Sequence, residues 1–361
     1  MSVLRLKVHV RMAESLERHK KRKKMMTEDE KYMARCLQLA RHGETMTAPN
    51  PMVGAVIVHD GRIIGEGWHR RYGGPHAEVN AVRSVQQADE ALLKESTIYV
   101  SLEPCSHWGK TPPCAELLVE KGFRRVVVGC LDPNEKVAGR GIRRLQTAGM
   151  EVVVGVLEDE CRWLNRKFMT FHTLHRPWIT LKWAESADGF MDRPRQSRAD
   201  GEPVRFSSPW TQMLVHRLRA THEAILVGRR TWELDQPSLT TRYWPGKNPE
   251  RFVLTHQDSH PGDASSEDAR PASIDREGAV PFPGFLTTQL TKDAVPSLTG
   301  KAGKESSLLV EGGAQTLQSF LDADLWDEVF IERSKIVLGA GVKAPKMKTD
   351  PKGRPVHVNF T

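Results

Sequence analysis

Hydrophobic and polar positions along residues 27–160 alternate between helical and strand-like spacing. Between residues 27 and 42 the apolar side chains recur every three or four positions, which predicts a helix. Two apolar runs, 53–58 and 62–67, are joined by Asp60-Gly61, which predicts a β-hairpin. Further strands are predicted at 97–102, 125–129 and 151–156, and further helices at 77–85, 115–121 and 140–148. This alternation predicts an α/β layer with helices packed on a sheet, ending near residue 160.

A second α/β run begins after a helix and connector at 161–175. Its strands are predicted at 176–182, 224–228, 251–254, 307–310 and 328–332, with helices at 212–219 and after Gly313. Residues 256–278 contain almost no large apolar side chain, which predicts a solvated loop. The predicted organisation is a basic extension (1–25), a first domain (26–160), a connector (161–175) and a second domain (176–361).

Length and charge add to this picture. A chain of 361 residues suggests about two domains, and no stretch is apolar enough for a membrane helix. The net charge of +8 is concentrated in residues 1–25, which carry nine Lys/Arg against Glu14 and Glu17, so that the remaining chain has a net charge of +1. The basic segment could be a phosphate-binding arm, a targeting peptide or the product of a misassigned start. We expect a disordered extension or a misassigned start, because Thr27 and the acidic residues after it would open a helix.

The five cysteines are too few and too unevenly placed for a disulfide scaffold, and no signal peptide is recognisable. A reducing, cytoplasmic location is therefore expected. Cys36, Cys130 and Cys161 are predicted to be packing residues, because they fall on predicted elements or beside the connector.

The remaining two cysteines belong to a candidate metal site. His76-Ala77-Glu78 lies at a predicted helix start, and Cys105 and Cys114 follow a predicted strand. One imidazole and two thiolates suit zinc, and three protein ligands leave a coordination position open for water. Glu78 does not belong to the ligand set and could carry protons to a leaving amine. The pattern H-x-E followed by P-C-x-x-C is the signature of zinc deaminases.

The spacing of the cysteines departs from that signature, because eight residues separate Cys105 from Cys114 where the general pattern has two. Two alternatives are unrelated buried thiols and a structural zinc site. His-Ala-Glu at a helix start favours the catalytic site, since a structural site has four protein ligands and no such glutamate. His107 could be a spare ligand, a substrate contact or a loop residue.

The motifs of the first half resemble those of the bifunctional riboflavin biosynthesis deaminase/reductase family. They are Pro49-Asn50-Pro51-x-Val53-Gly54, His76-Ala77-Glu78-Val79, the segment from Glu103 to Cys114, and Asp132-Pro133-Asn134 with Val137 to Gly141. The eight-residue cysteine spacing is usual in that family. The resemblance implies a cytidine-deaminase-like three-layer α/β domain that binds one zinc ion per chain.

The second half carries further motifs of the same family. They are Leu181-Lys182-x-Ala184-x-Ser186-x-Asp188-Gly189, Leu218-Arg219-Ala220 with Ala224 to Gly228, Thr231 with Asp235-x-Pro237-x-Leu239-Thr240-x-Arg242, and Val310-Glu311-Gly312-Gly313. The resemblance implies a dihydrofolate-reductase-like α/β domain that uses NADPH. Independently, Gly312-Gly313 between a strand and a helix would let main-chain N–H groups approach a phosphate, although a plain turn is an equal alternative.

The resemblance also implies roles for individual residues. It assigns His76, Cys105 and Cys114 to zinc, Glu78 to catalysis, and Asn50, His69, Lys110, Asp132 and Asn134 to the deaminase substrate. In the reductase it assigns Ala184, Thr231, Asp235, Gly312 and Gly313 to NADPH, and Arg219, Leu239, Arg242 and Glu311 to the substrate. The implied reactions are hydrolytic deamination of a diaminopyrimidine ribosyl phosphate and reduction of its ribosyl chain to ribityl.

One segment departs from the family. Where members commonly show Ser-x-Trp, this chain reads Glu202-Pro203-Val204-Arg205-Phe206. A substrate hydroxyl contact and an aromatic platform are then missing, and Arg205 is the candidate substitute. A deaminase with an inactive reductase domain therefore stays an alternative.

Other functions are compatible with parts of the sequence. A zinc deaminase acting on a nucleic-acid base would need a positive groove and stacking aromatic residues, which the net charge of +1 outside residues 1–25 disfavours. A regulator without activity is disfavoured because Glu78 is intact. We therefore expect a small-molecule substrate, without nucleic-acid or membrane partners, and leave open whether the chain forms a homo-oligomer.

Overall fold

The computed structural model describes residues 26–108, 112–134, 138–254, 280–281, 305–348 and 350–360. It divides into two compact units. The first ends at Leu164 and the second begins at Asn165, except that the short segment Glu44–Pro51 groups with the second unit. The predicted extension (1–25) and polar loop (256–278) lie outside the described residues.

The first unit is built around a five-stranded sheet. Its helices are α1 (Glu28–Ala40), α2 (Ala77–Arg83), α3 (Cys114–Lys121), α4 (Arg140–Thr147) and α5 (Glu158–Leu164), and its strands are β1 (Gly54–His59), β2 (Arg62–Trp68), β3 (Thr97–Leu102), β4 (Arg125–Cys130) and β5 (Glu151–Val154). Short 3-10 helices occupy Arg41–Gly43 and Gln87–Glu95. The strand order is β2-β1-β3-β4-β5. Strand β1 is antiparallel to β2 and β3, whereas β3, β4 and β5 are parallel.

Local sequence signals explain how these elements begin and turn. Thr27 caps α1 in a reciprocal capping box with Glu30. Asp60 and Gly61 both have positive φ angles, of 45° and 74°, as a tight turn between β1 and β2 requires. The predicted N-cap and hairpin are thus confirmed.

Helices cover both faces of this sheet. On one face, alternate strand residues such as Ile57 and Val100 form a core with Ala81, Leu118 and Leu145 of α2, α3 and α4. On the other face lie α1 and α5, and their cysteines are buried against the strands: the Cys36 thiol donates to the Tyr99 carbonyl (3.4 Å), and a Cβ added at Gly129 would lie 2.3 Å from the Cys161 sulfur. The first unit is therefore a three-layer α/β/α structure. Cys36, Cys130 and Cys161 are all buried, as predicted.

The second unit contains a seven-stranded sheet. Its helices are α6 (Arg166–Leu174), α7 (Pro209–Ala220), α8 (Arg229–Asp235) and α9 (Ala314–Asp322), with a 3-10 helix at Arg198–Asp200. Its strands are β6 (Trp178–Glu185), β7 (Phe190–Asp192), β8 (Ala224–Gly228), β9 (Glu250–Leu254), β10 (Val280–Pro281), β11 (Ser307–Val310), β12 (Glu328–Arg333), β13 (Val342–Lys343) and β14 (Val356–Phe360). The large sheet has the order β10-β9-β8-β11-β6-β12-β14, and β7 pairs with β13.

All strand pairs of the large sheet are parallel. Leu181 at its centre pairs with Val310 on one side and Val329 on the other, and all three side chains are buried. Phe320 of α9 packs into the same core. Because the strands are parallel, β6, β8 and β11 have their carboxyl ends at one edge of the sheet.

The α/β class predicted for both halves is confirmed, with differences at individual elements. Strand β5 ends at Val154, two residues before its predicted end, and α7 begins three residues before its predicted start. The 3-10 helix 87–95, α8 and the strands β7, β10, β13 and β14 are not among the predicted elements. Within the described residues, no helix combines the length and the hydropathy needed to cross a membrane.

A partly buried ion pair anchors α1 to the sheet. The Asp29 carboxylate accepts two hydrogen bonds from the Arg125 guanidinium (2.8 Å each) and one from the Tyr99 hydroxyl (2.9 Å). Arg125 also donates to Glu151 of β5 (2.8 Å). The hydrogen bonds from Arg125 hold the pKa of Asp29 below its ordinary value. The ionised carboxylate therefore stabilises the folded state.

We expect Asp29→Asn to lower the melting temperature at pH 7 by a few degrees, for a loss on the order of 1 kcal/mol. A carboxyl whose pKa is depressed by folding stabilises fully above its unfolded pKa, near 4, and progressively less as pH falls through the folded pKa. The difference between wild type and variant should therefore shrink below about pH 4. Thermal unfolding of the full chain between pH 3 and 7 measures it.

Asp60→Asn is the matched control, because its side chain is 92% exposed and asparagine suits the same turn. An equal loss of stability in both variants, or a difference that does not depend on pH, would contradict the anchoring role of Asp29.

Candidate functional site

Three ends of secondary structure elements supply the candidate metal ligands. His76 is the N-cap residue of α2, Cys105 lies in the loop after β3, and Cys114 is the first residue of α3. Their ligand atoms all lie within 4.8 Å of one another. The structure therefore brings together the three residues that the sequence predicts as ligands.

The separations within this cluster suit a tetrahedral ion. The His76 Nδ1 atom is 3.3 Å from the Cys114 sulfur and 3.5 Å from the Cys105 sulfur. An ion with Zn–S of about 2.3 Å and Zn–N of about 2.0 Å in tetrahedral geometry separates sulfur from nitrogen by about 3.5 Å. The donor set and its spacing thus fit zinc, with one of four positions left for water.

Main-chain hydrogen bonds position Cys105. Its sulfur accepts from the Cys114 N–H (3.3 Å), and its carbonyl accepts from the Ala115 N–H (3.1 Å). Hydrogen bonds from the Cys114 thiol, His76 and this N–H lower the pKa of Cys105 below its ordinary value. Cys114 has a raised pKa because its thiol donates to Cys105 and is buried. The lowered pKa of Cys105 favours its thiolate form, which is the form that binds a metal ion.

Glu78 and His69 lie beside the ligands. Glu78 is in the first turn of α2 and only 3% exposed, and burial raises its pKa to about 6. The buried His69 donates from Nδ1 to the Pro75 carbonyl (3.0 Å) and meets the His76 ring edge-on at 5.5 Å. A buried carboxyl next to three ligands can exchange protons with a molecule held there.

Among the other residues assigned to the first substrate, Asn50, Asp132 and Asn134 lie on loops. Asp132 follows β4, and its carboxylate accepts from the Asn134 N–H (2.8 Å). Burial raises the pKa of Asp132 to about 6. Asn50, whose N–H donates to the Thr47 carbonyl (2.9 Å), belongs to the segment grouped with the second unit, and Lys110 lies outside the described residues.

Sequence reasoning missed the role of Glu103, which it quoted only as part of a motif. This side chain is 4% exposed, and its two oxygens accept hydrogen bonds from four main-chain N–H groups of residues 132–142. A charged residue directly after an apolar strand was the available signal.

In the second unit, two helix N-termini lie next to each other. The turn formed by Gly312 and Gly313 lies between them and is called the glycine cradle here. Gly228 is the N-cap residue of α8 and Gly313 that of α9. A Cβ added at Gly312 would lie 3.3 Å from the Gly228 nitrogen, and one added at Gly313 would lie 3.0 Å from the Thr231 hydroxyl oxygen. Because these residues are glycines, no side chain fills this space, and phosphates can approach the main-chain N–H groups of the helix N-termini. The cradle therefore fits a group with phosphates. Ala184, near the carboxyl end of β6, is partly buried.

The four residues assigned to the second substrate differ in their surroundings. Arg219 and Glu311 form a buried bidentate ion pair (2.9 and 2.7 Å), and Arg219 also donates to the Thr240 carbonyl (3.2 Å). Although burial by itself raises the pKa of Glu311, Arg219 lowers it below its ordinary value. Leu239 is 2% exposed, and Arg242 is exposed and donates to the hydroxyls of Ser238 (2.8 Å) and Thr240 (3.3 Å).

A second residue missed from the sequence is Arg195, which holds Asp235 in place. The buried Arg195 guanidinium donates to Asp235 and Asp192 (2.5 Å each) and thereby links α8 to β7. Residues 202–206, which differ from the family's Ser-x-Trp motif, follow a few positions later in the chain. In it Phe206 is buried, whereas Arg205 is exposed.

Two family models match the chain. The model of the cytidine and deoxycytidylate deaminase zinc-binding region matches residues 26–130, and the model of the RibD C-terminal domain matches residues 177–359.

Curated relatives named riboflavin biosynthesis protein RibD are similar over most of the chain. The protein of Aquifex aeolicus is 37% identical over 331 residues, which cover 87% of this chain and 89% of that protein. That of Escherichia coli is 38% identical over 347 residues, with 88% and 90% covered.

Solved structures show the same similarity. The diaminohydroxyphosphoribosylaminopyrimidine deaminase/5-amino-6-(5-phosphoribosylamino)uracil reductase of Thermotoga maritima has a TM-score of 0.74 and 35% identity, covering 91% of this chain and 93% of that one. RibD of Acinetobacter baumannii has a TM-score of 0.73 and 33% identity, covering 90% and 91%.

The ligand assignment is tested by removing each thiol. We expect Cys105→Ser and Cys114→Ser to reduce bound zinc from one ion per chain to well below half, because a hydroxyl is a poor substitute for a thiolate. Elemental analysis of the purified full chain after dialysis measures the zinc content.

Cys130→Ala is the matched control, because this cysteine is buried like Cys114 but does not belong to the cluster. Full zinc content in either serine variant would show that its cysteine is not a ligand.

Proposed function

From the premise that this chain belongs to the RibD family, as its motifs predicted, we propose how its own residues divide the two reactions of a bifunctional enzyme of riboflavin biosynthesis. The family combines a zinc-dependent deaminase with an NADPH-dependent reductase. We assign the deaminase to residues 26–160, the connector to 161–175 and the reductase to 176–361. The two compact units and the two matched ranges support this division.

The first substrate that we propose is 2,5-diamino-6-(5-phosphoribosylamino)pyrimidin-4-one. The name of the Thermotoga maritima relative indicates this class of compound. In the deamination a bond forms between water oxygen and the ring carbon, the bond from that carbon to the amino nitrogen breaks, and ammonia leaves. His76, Cys105 and Cys114 hold zinc, which when bound makes the attacking water more acidic.

Glu78 moves the protons of this reaction. It accepts a proton from the attacking water and delivers it to the departing nitrogen. The proton is needed because NH2⁻ is a poor leaving group, whereas neutral ammonia is a good one. Its burial beside the ligands supports this role. The pyrimidine and its ribosyl phosphate would be held by Asn50, His69, Lys110, Asp132 and Asn134. Of these, His69 is buried and Asp132 is partly buried.

The second reaction reduces the ribosyl chain to ribityl with hydride from NADPH. The glycine cradle of Gly312 and Gly313, with Thr231, would bind the dinucleotide phosphates through main-chain N–H groups at the helix N-termini. Ala184 and Asp235 would complete the cofactor site. Arg195 would position Asp235 by the ion pair described above.

Arg219, Leu239, Arg242 and Glu311 would bind the sugar phosphate in different ways. Arg219 is already paired with Glu311 in a buried contact, and breaking such a pair is costly. Arg242 is exposed and is held by hydroxyl groups. We therefore propose that Arg242 contacts the phosphate, while the Arg219–Glu311 pair shapes the site beneath the sugar.

The enzyme acts on a small molecule, and we propose that it does so without nucleic acid or membrane partners. The net charge of +1 outside residues 1–25 supports this proposal. We also propose a cytoplasmic location, which the five free cysteines support, since a reducing compartment preserves thiols.

The observation that carries the proposal is the His76, Cys105 and Cys114 cluster with the buried Glu78 beside it. Incubation of the full chain with the diaminopyrimidine ribosyl phosphate, with and without NADPH, tests both reactions. Mass spectrometry should show a gain of about one mass unit for amine replaced by carbonyl oxygen, and a further gain of two hydrogens only with NADPH. Deamination without any reduction would favour the alternative of an inactive reductase domain.

Glu78→Gln should reduce the rate of deamination by at least about 100-fold, because proton transfer is removed while all ligands remain. Zinc content should stay at one ion per chain, and NADPH-dependent reduction of the deaminated pyrimidine should be unchanged. Ammonia release and elemental analysis measure the first two quantities. Near-normal turnover would exclude Glu78 as the proton carrier.

Arg242→Ala should lower kcat/KM of the reductase reaction by about ten- to a hundred-fold, since a charge-assisted phosphate contact contributes roughly 1.5–3 kcal/mol. Deamination should not change. The matched control is Arg217→Ala, which removes an exposed ion pair with Glu44. Equal reductase kinetics for both variants would contradict a phosphate contact at Arg242.

Arg205→Ala is a separate test of the segment that departs from the family motif. A raised KM for NADPH in this variant would show that Arg205 contributes to cofactor binding.

A further inference from the structure

Glu103 is a buried carboxylate between the metal-ligand loop and the loop that carries Asp132. It follows the last residue of β3 and is two residues from Cys105. Its N–H donates to the Cys130 carbonyl (2.9 Å), which aligns it with the end of the neighbouring strand β4. Its side chain is 4% exposed. A polar group in such surroundings requires hydrogen-bond partners.

The two carboxylate oxygens serve different segments. Oε2 accepts from the N–H groups of Asp132 (3.3 Å) and Gly139 (2.9 Å), at the two ends of the Asp132 loop. Oε1 accepts from those of Gly141 (3.0 Å) and Ile142 (3.4 Å), in the first turn of α4. One side chain therefore holds both the loop and the helix that follows it.

The N-cap residue of α4 makes no side-chain hydrogen bond to the start of its own helix. Gly139 is the N-cap residue of α4 and has no side chain, so the helix start depends on a distant acceptor. At Gly141 an added Cβ would lie 2.1 Å from the Pro104 carbonyl oxygen. The chain after the Asp132 loop thus packs directly on the residue that precedes the ligand Cys105.

We propose that Glu103 is a positioning residue for the deaminase substrate: it holds the Asp132 loop at a fixed place relative to the ligand loop. The proposal rests on the proposed function, in which Asp132 and Asn134 contact the pyrimidine ribosyl phosphate. In this role Glu103 acts through the loop and not through a contact of its own with the substrate. Its effect is to order the loop before the substrate binds, which lowers the cost of binding.

The alternative is that Glu103 only caps α4 and has no effect on the substrate site. The two roles can be distinguished because one oxygen accepts from the loop and the other from the helix. Glu103→Gln keeps the size of the side chain but replaces one acceptor oxygen by an NH2 donor, so that it loses the bonds on one side. The α4 side is also held by helix packing of Leu145, which is fully buried. Because this packing holds α4 independently of Glu103, we expect the lost hydrogen bonds to be those on the loop side.

For Glu103→Gln we expect KM for the diaminopyrimidine ribosyl phosphate to rise at least about tenfold and kcat to change less than about threefold, with zinc content unchanged. Amide hydrogen exchange should be faster at Asp132 and Gly139 than in the wild type. The matched control is Glu116→Gln, which breaks the exposed Arg144 pair between α3 and α4 (2.6 and 2.8 Å) without touching the loop. KM should be unchanged in that control.

Several outcomes would overturn the positioning role. These are a KM within twofold of the wild type, an equal rise in the Glu116→Gln control, or loss of zinc from Glu103→Gln. Should that variant not fold, unprotected Asp132 and Gly139 amides in the wild type would overturn the proposal, and protected amides would support it. If the wild type does not deaminate the pyrimidine, the proposed function fails, while the hydrogen-exchange comparison still decides whether Glu103 holds the loop.

Discussion

Parallel pairing of neighbouring strands is the constraint on which both candidate sites depend. In the first unit β3 and β4 are parallel, so that the loop with Cys105 and the loop with Asp132 leave the sheet side by side. In the second unit β6, β11 and β8 are parallel neighbours, and the Gly228 and Gly312 turns therefore lie next to each other. The helices that follow these strands begin at the same edge. Their first N–H groups have no partner inside the helix and are available to anionic groups.

The first unit uses these N–H groups for its own anions. The Cys114 N–H donates to the Cys105 sulfur, and four N–H groups around the start of α4 donate to Glu103. These contacts hold Cys105, Asp132 and Gly139 in place relative to the helices that follow them. Binding energy need not be spent on ordering residues that are already held.

In the second unit, two largely buried arginines near the candidate site are held in ion pairs. Arg219 is joined to Glu311 and Arg195 to Asp235 and Asp192, and in each case the guanidinium is largely buried. Each partner keeps the other in a fixed orientation, because separating them would leave a buried charge unpaired. Arg242 is arranged differently, because it is exposed and donates hydrogen bonds to two hydroxyl groups.

The sequence by itself determined the α/β class, most of the strands and helices, the His76, Cys105 and Cys114 cluster, and the family. These features depend on residues near one another in the chain or on motifs in a recognisable order, and local periodicity and spacing report them. Tertiary structure alone decided that Glu103 accepts hydrogen bonds from residues 29 to 39 positions away and that Arg219 pairs with Glu311, 92 positions away. The order of strands in a sheet determines which loops become neighbours, and no periodic pattern within a strand specifies that order. The sequence therefore predicted most of the candidate residues, whereas the strand order decided which of them contact one another.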